Sequence, residues 1–128
     1  MLLHLFAYGT LQDLRLLRRL VGTVPDTAPA VLHGYARYTV AGADYPGIVT
    51  QPGTKTPGTL FRSLPESAWT TLDAYESDLY DRLSVTVELS DGSACVAQAY
   101  VIPPEKRHVL SDAPWDPNHY LPLPNEPG

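Results

Sequence analysis

The sequence holds a single cysteine, Cys95, which excludes an internal disulfide framework and any cysteine-based zinc cluster. Cationic side chains are scarce as well. Nine Lys and Arg stand against 14 Asp and Glu, a formal charge of −5. Such a chain offers no electrostatic footprint to a nucleic-acid backbone or an anionic membrane, so neither is expected as a partner. No apolar run approaches the ~20 residues a bilayer-crossing helix needs. Met1 to Phe6 lacks the basic start of a secretory leader, and the expected location is a reducing cytoplasm. Phosphate-cradling glycine loops and nucleophile elbows are missing. The histidines His4, His33, His108 and His119 have no short ligand spacing, so no metal site is expected.

What is present fits one domain. A chain of 128 residues, 44% of them apolar, can bury roughly two-thirds of its unfolded surface without staples. Leu2 to Tyr8 alternates as a short strand ended by Gly9. Leu11, Leu14, Leu17 and Leu20 then recur at helical spacing, with Asp13, Arg15, Arg18 and Arg19 for the outer face and Gly22 as the stop. Val31 to Val40 and Gly58 to Arg62 read as strands; Pro25 to Pro29, Tyr45-Pro46-Gly47 and Pro52 to Pro57 read as turns or loops. Ser63 and Glu66 have the spacing of a capping box, opening a helix whose inner face is Ala68, Leu72 and Tyr75.

Leu83 to Ser90 alternates cleanly up to Asp91-Gly92, a hairpin signal. A two-residue loop there pairs Val87 with Val96 and Leu83 with Tyr100. Seven of the 13 prolines follow Ile102, where regular ladders are not expected. Residues 1–102 therefore form the domain. Residues 103–128 form a Pro-rich tail, packed on it or partly mobile, with Val109, Trp115, Tyr120 and Leu121 as pins. The element order predicts an α+β fold with a mostly antiparallel or mixed sheet.

Two segments carry candidate chemistry. Tyr8-Gly9-Thr10-Leu11 lies between a strand and a helix, where glycine lets backbone approach a ligand closely and free N–H groups favour an anion. A plain tight turn would look the same. The second is Leu72 to Arg82, with Asp73, Glu76, Asp78 and Asp81 around three aromatic or cationic side chains, Tyr75, Tyr80 and Arg82. Charge runs are usually solvated helix ends. Partial burial beside like charges would instead lift a carboxyl toward neutrality, where it suits proton transfer. Cys95 sits in the hairpin with nothing nearby to activate it.

In order, Phe6-Ala7-Tyr8-Gly9-Thr10-Leu11, Tyr45-Pro46-Gly47-Ile48, Gly58-Thr59-Leu60-Phe61 and Leu72-Asp73-Ala74-Tyr75-Glu76, followed by Tyr80 and Arg82, resemble the gamma-glutamylcyclotransferase-like superfamily. Within it the resemblance is to the gamma-glutamylamine cyclotransferase branch, over about residues 3 to 102. It implies a small mixed or antiparallel β-barrel with short helices. It also implies release of 5-oxoproline from a γ-glutamyl amine or amino-acid conjugate, without cofactor or metal. Glu76 then matches the family's general acid/base, and Tyr8, Gly9, Thr10 and Leu11 match the loop that holds the γ-glutamyl group. Tyr45, Tyr80 and Arg82 are further substrate-binding candidates. Ser77 departs from the glycine many relatives carry after the glutamate. A non-catalytic binding module on the same fold, or an amide hydrolase using the same carboxyl with water, fits the same residues. The small-molecule partner is thus a γ-glutamyl compound of open leaving group, and the oligomeric state is open too.

Overall fold

A computed structural model describes residues 3–23 and 25–117, and among these there are six strands, two α-helices and three short 3-10 turns. The strands are β1 (Leu3–Ala7), β2 (Thr27–Val40), β3 (Pro46–Leu64), β4 (Asp81–Leu89), β5 (Ala94–Val101) and β6 (Leu110–Pro114). Helix α1 (Leu14–Val21) follows β1, and α2 (Glu66–Glu76) lies between β3 and β4. The sheet runs β3-β1-β5-β4-β2-β6, and a further pairing of β2 with β3 closes the first five strands into a barrel. Only β1 with β5 is parallel among the described pairings, so the barrel is mixed, as expected. Among the described residues, no helix is long and apolar enough to cross a membrane.

Strand alternation sorts the core into two layers. On β1, Leu5 and Ala7 face the helices, where they meet Leu16, Leu17, Trp69 and Leu72. Phe6 and Tyr8, one residue out of phase, fill the barrel with Leu32, Ile48, Leu60 and Val87. Ala97 and Ala99 supply the small side chains that let the large rings fit a narrow barrel. Gly58 is required for the same reason: a Cβ there would collide with the Ala7 carbonyl and the Phe6 ring.

Several expectations are corrected. Helix α1 begins at Leu14, because the buried Asp13 side chain caps it by accepting from the Arg15 and Leu16 N–H groups at 2.9 and 3.3 Å. Leu11 belongs to a separate 3-10 turn, Thr10–Gln12, and Leu14 points outward at 48% exposed. The supposed loops at 25–29 and 52–57 are largely strand. Only 51–54 bulge out, opposite Gly34 at φ +84°, with Thr54 Oγ1 donating to the Gln51 carbonyl. Ser63 does not cap α2. It lies one residue before the end of β3 at φ +59° in a bulge opposite His4, whose Nδ1 accepts the Ser63 N–H at 2.9 Å.

The β4–β5 register is one residue away from the expected one: Val87 pairs with Cys95 and Arg82 with Tyr100. Gly92 at φ +85° joins Ser90 and Asp91 in a three-residue loop closed by Leu89 N–H to Ser93 O, which absorbs the extra residue. After Ile102 the prolines do not prevent a ladder. β6 pairs antiparallel with β2, and the buried Trp115 donates Nε1–H to the Asp44 carbonyl at 2.9 Å. Val109 accepts the Ala41 N–H, whereas His119, Tyr120 and Leu121 lie outside the described residues.

Candidate active site

Four chain segments converge at one end of the barrel. β1 runs out into Tyr8-Gly9-Thr10-Leu11, and the β2–β3 turn delivers Asp44-Tyr45-Pro46. The last turn of α2 and the 3-10 turn after it deliver Tyr75, Glu76 and Leu79, with Tyr80 entering β4. Tyr100 closes the floor from β5. The cavity they enclose holds about 440 Å³, the size of a small-molecule site.

Hydrogen bonds hold each wall. The Arg37 guanidinium donates Nη1–H to the Tyr8 carbonyl at 2.7 Å and the Pro57 carbonyl at 3.2 Å, and stacks on the Trp115 ring at 5.3 Å. Gln12 N–H returns to the Gly9 carbonyl at 3.0 Å, tightening the loop into its 3-10 turn. As the first residues of that turn, Thr10 and Leu11 have N–H groups without a partner inside it. Gly9 has no room for a side chain: a Cβ would stand 2.7 Å from Pro46 Cγ, so loop and turn are pressed together. Tyr80 donates its hydroxyl to the Pro46 carbonyl at 2.8 Å, tying the start of β4 to the same turn. The Tyr8 hydroxyl points inward, donating to the Tyr100 carbonyl at 2.6 Å.

Glu76 is the buried acid in this cavity, and Asp44 lies on the exposed turn beside it. Burial at the aromatic wall pushes the Glu76 carboxyl up from 4.5 to about 7. Tyr80 and Tyr100 are raised above ordinary phenols, first by burial, and Glu76 contributes to both. Tyr8 is raised well above its usual value by burial, with Tyr80 and Glu76 adding. These phenols are therefore neutral hydrogen-bond donors near the carboxyl at physiological pH. Among the described residues, no three His, Cys, Asp or Glu side chains gather in a metal-holding group.

The structure thus brings Glu76, Tyr8, Gly9, Thr10, Leu11, Tyr45 and Tyr80 to one cavity. Arg82 does not join them. It pairs with Asp73 at 3.4 Å, lies over the Trp69 ring at 4.8 Å, and lines a neighbouring hollow behind Tyr80 and Tyr100. Tyr75, expected on the buried face of α2, is 44% exposed at the cavity rim. Sequence reasoning missed Arg37, Asp44 and Tyr100. Alternation of the hairpin after its turn carried a signal for Tyr100, whereas Arg37 becomes relevant only through its bond to the distant Tyr8 carbonyl and Asp44 only once the β2–β3 turn meets the Tyr8–Leu11 loop.

A family model described as gamma-glutamyl cyclotransferase, AIG2-like, matches residues 5–117. The chain belongs to that family. Protein AIG2 C of Arabidopsis thaliana is 32% identical over 99 residues, covering 77% of this chain and 60% of that protein. AIG2-like protein C of the same plant is 36% identical over 89 residues, covering 70% and 52%. The chain therefore spans about half to three-fifths of the length of these curated relatives. A solution structure of an Arabidopsis thaliana protein superposes with a TM-score of 0.79 at 26% identity, over 94% of this chain and 73% of that one. A solved gamma-glutamyl cyclotransferase superposes with a TM-score of 0.70 over 80% of this chain and 68% of its own, at 17% identity, which shows the shared fold. The cyclotransferase-family match extends beyond Ile102 and includes β6 and Trp115.

Proposed function

We propose that this protein is a γ-glutamyl cyclotransferase that releases 5-oxoproline and a free amine from a γ-glutamyl amine or amino-acid conjugate. The observation that carries the reading is one carboxyl, Glu76, raised to about 7 by burial in a cavity that also holds the Tyr8–Leu11 loop. Family membership and a cyclotransferase fold support it.

The chemistry asks for little else. The substrate's α-ammonium gives up a proton, and its nitrogen attacks the γ-carbonyl of the same molecule. A C–N bond forms as the attacking nitrogen gives up its second proton, the γ-carbon to leaving-nitrogen bond breaks, and the departing nitrogen takes up both protons and leaves as an ammonium. No water is consumed. Glu76 accepts a proton as carboxylate and returns one to the leaving nitrogen as carboxylic acid. A group titrating near 7 is matched to both halves of that cycle, a contribution of about 10²- to 10⁴-fold. Backbone N–H groups at Thr10 and Leu11 are suited to the α-carboxylate or the tetrahedral oxyanion, where one well-aimed donor is worth about 10²-fold or more. Folding the substrate so that amine meets carbonyl is the cavity's third task.

A mass-spectrometric assay for 5-oxoproline tests this with γ-glutamyl amines, γ-glutamyl amino acids and glutathione. Wild type is expected to form it from at least one substrate, and a folded Glu76→Gln protein to lose at least 100-fold. Glutamate as the product would point to hydrolysis. Binding without either product would favour a non-catalytic module.

A further inference from the structure

Resting on the cyclotransferase reading, the charge distribution of the cavity narrows the leaving group. No Lys, Arg or His is among the described residues that line it. Two carboxylates are, Glu76 within it and Asp44 on the exposed turn at its mouth. The cations that come near the walls are committed elsewhere. Arg37 is bonded to the Tyr8 and Pro57 carbonyls, Arg82 to Asp73, and the Lys106 ammonium to the Asp78 carbonyl. Every γ-glutamyl substrate already brings one α-carboxylate, which the backbone of the Tyr8–Leu11 loop has to neutralise. A second carboxylate on the leaving side would face Glu76 and Asp44 with no counter-charge.

The aromatic lining points the other way. Tyr45 and Tyr75 keep 40% and 44% of their surface exposed at the rim, although both are large apolar rings. Tyr80 lies close enough to both that each affects its phenol. Ring faces with a nearby carboxylate bind organic cations by cation–π attraction backed by opposite charge. We infer that the amine released by this protein carries a second positive charge and no carboxylate, its ammonium held between the Tyr45 and Tyr75 rings with Asp44 as counter-charge.

Three γ-glutamyl amides of equal length test this: those of 1,5-diaminopentane, n-pentylamine and 5-aminopentanoate. They end in an ammonium, a methyl and a carboxylate. kcat/KM for 5-oxoproline release is measured on wild type, and Kd on Glu76→Gln, which holds each amide without turning it over. The ammonium ligand is expected to lead the carboxylate ligand by about tenfold or more in both readouts, which corresponds to ~1.4 kcal/mol. Asp44→Asn and Tyr45→Leu should each shrink the ammonium-to-pentyl ratio several-fold. Asp91→Asn removes the same net charge in the β4–β5 turn and should leave the ratio alone. Equal values for all three amides, a lead for the carboxylate, or no measurable binding of any would overturn the inference. Ammonium-selective binding to Glu76→Gln with no 5-oxoproline from wild type would sustain the ammonium subsite at Tyr45, Tyr75 and Asp44 while refuting the cyclotransferase reading and, with it, the claim about a released amine.

Discussion

Replacing Glu76 by Gln should make the protein more stable while removing its proposed activity, and the gain should depend on pH in a way only this residue dictates. The carboxyl titrates near 4.5 when the chain is unfolded and at about 7 when folded, because burial disfavours its charged form. Below 4.5 it is protonated in both states, so glutamine and glutamic acid are equivalent. Between 4.5 and 7 the folded state binds the extra proton, so wild-type stability falls as pH rises through this window. Above 7 the folded state holds a buried anion at a full cost of about 3 kcal/mol, which glutamine does not incur. For a chain this size that is on the order of 10 °C in Tm. Thermal or urea unfolding of both proteins from pH 4 to 9 measures the difference, in which every other titrating group cancels. Curves that coincide at pH 4 and separate to a plateau above pH 7 are expected. A constant offset, or no separation, would refute the buried-carboxyl argument regardless of what the protein turns over.

The same ionisation sets activity: kcat/KM should rise about tenfold per pH unit up to about 7, since only the carboxylate can accept the first proton. A profile flat across pH 5 to 8 would exclude Glu76 as the base. Gly9→Ala puts a Cβ 2.7 Å from Pro46 Cγ, so it should cost about 1–3 kcal/mol in urea unfolding and lower kcat/KM, because both residues line the cavity. Tyr100→Phe removes the 2.8 Å hydrogen bond to Asp73, one turn before Glu76 on α2. Its loss should reduce kcat and move the acidic limb toward lower pH as the helix end loosens and water reaches the carboxyl; an unmoved pH profile would limit Tyr100 to packing. Trp115→Ala should lose about 3–5 kcal/mol by calorimetry, and a cost near zero would mean the segment after Ile102 is dispensable to the barrel.

Local signals in the chain carried the site further than they carried the fold. As cavity-lining candidates, Glu76 and the Tyr8–Leu11 loop stood out because each sits where an element stops, whereas Tyr45 and Tyr80 came with the family resemblance, and local patterns such as Tyr-Pro-Gly marked only a turn. The class of fold followed from the element order. What failed were features fixed by partners far along the chain. Asp13 looks like an outward-facing helix residue until its carboxylate is seen capping α1. Pro52-Gly53 looks like a loop between two strands, and only the pairing of its flanks, Thr50 with Tyr35 and Lys55 with His33, turns it into a bulge in one long strand. The hairpin slipped one place because Asp-Gly serves both a two-residue turn and a three-residue loop with glycine in the left-handed position. Arg82 followed Glu76 closely enough to be grouped with it, yet β4 turns it out toward Asp73 and Trp69.

The position of Glu76 explains why so much of the barrel is devoted to holding one end of α2. The last turn of a helix is the negative end of its dipole and the least favourable place for an anion. Asp73 and Asp78 lie within three residues, and the nearest walls are phenols and aliphatics. Burial against those walls raises the free energy of a carboxylate there, and an unsupported helix end would fray and let it hydrate. Long-range contacts oppose that. Tyr100 of β5 bonds Asp73, Tyr80 bonds Pro46 at the start of β3, and Lys106 bonds the Asp78 carbonyl from beyond β5. These three contacts come from different strands or their extensions and enclose the turn that carries Glu76. The sheet thereby holds a proton-binding group where hydration cannot lower its pKa, at the stability cost that Glu76→Gln would relieve.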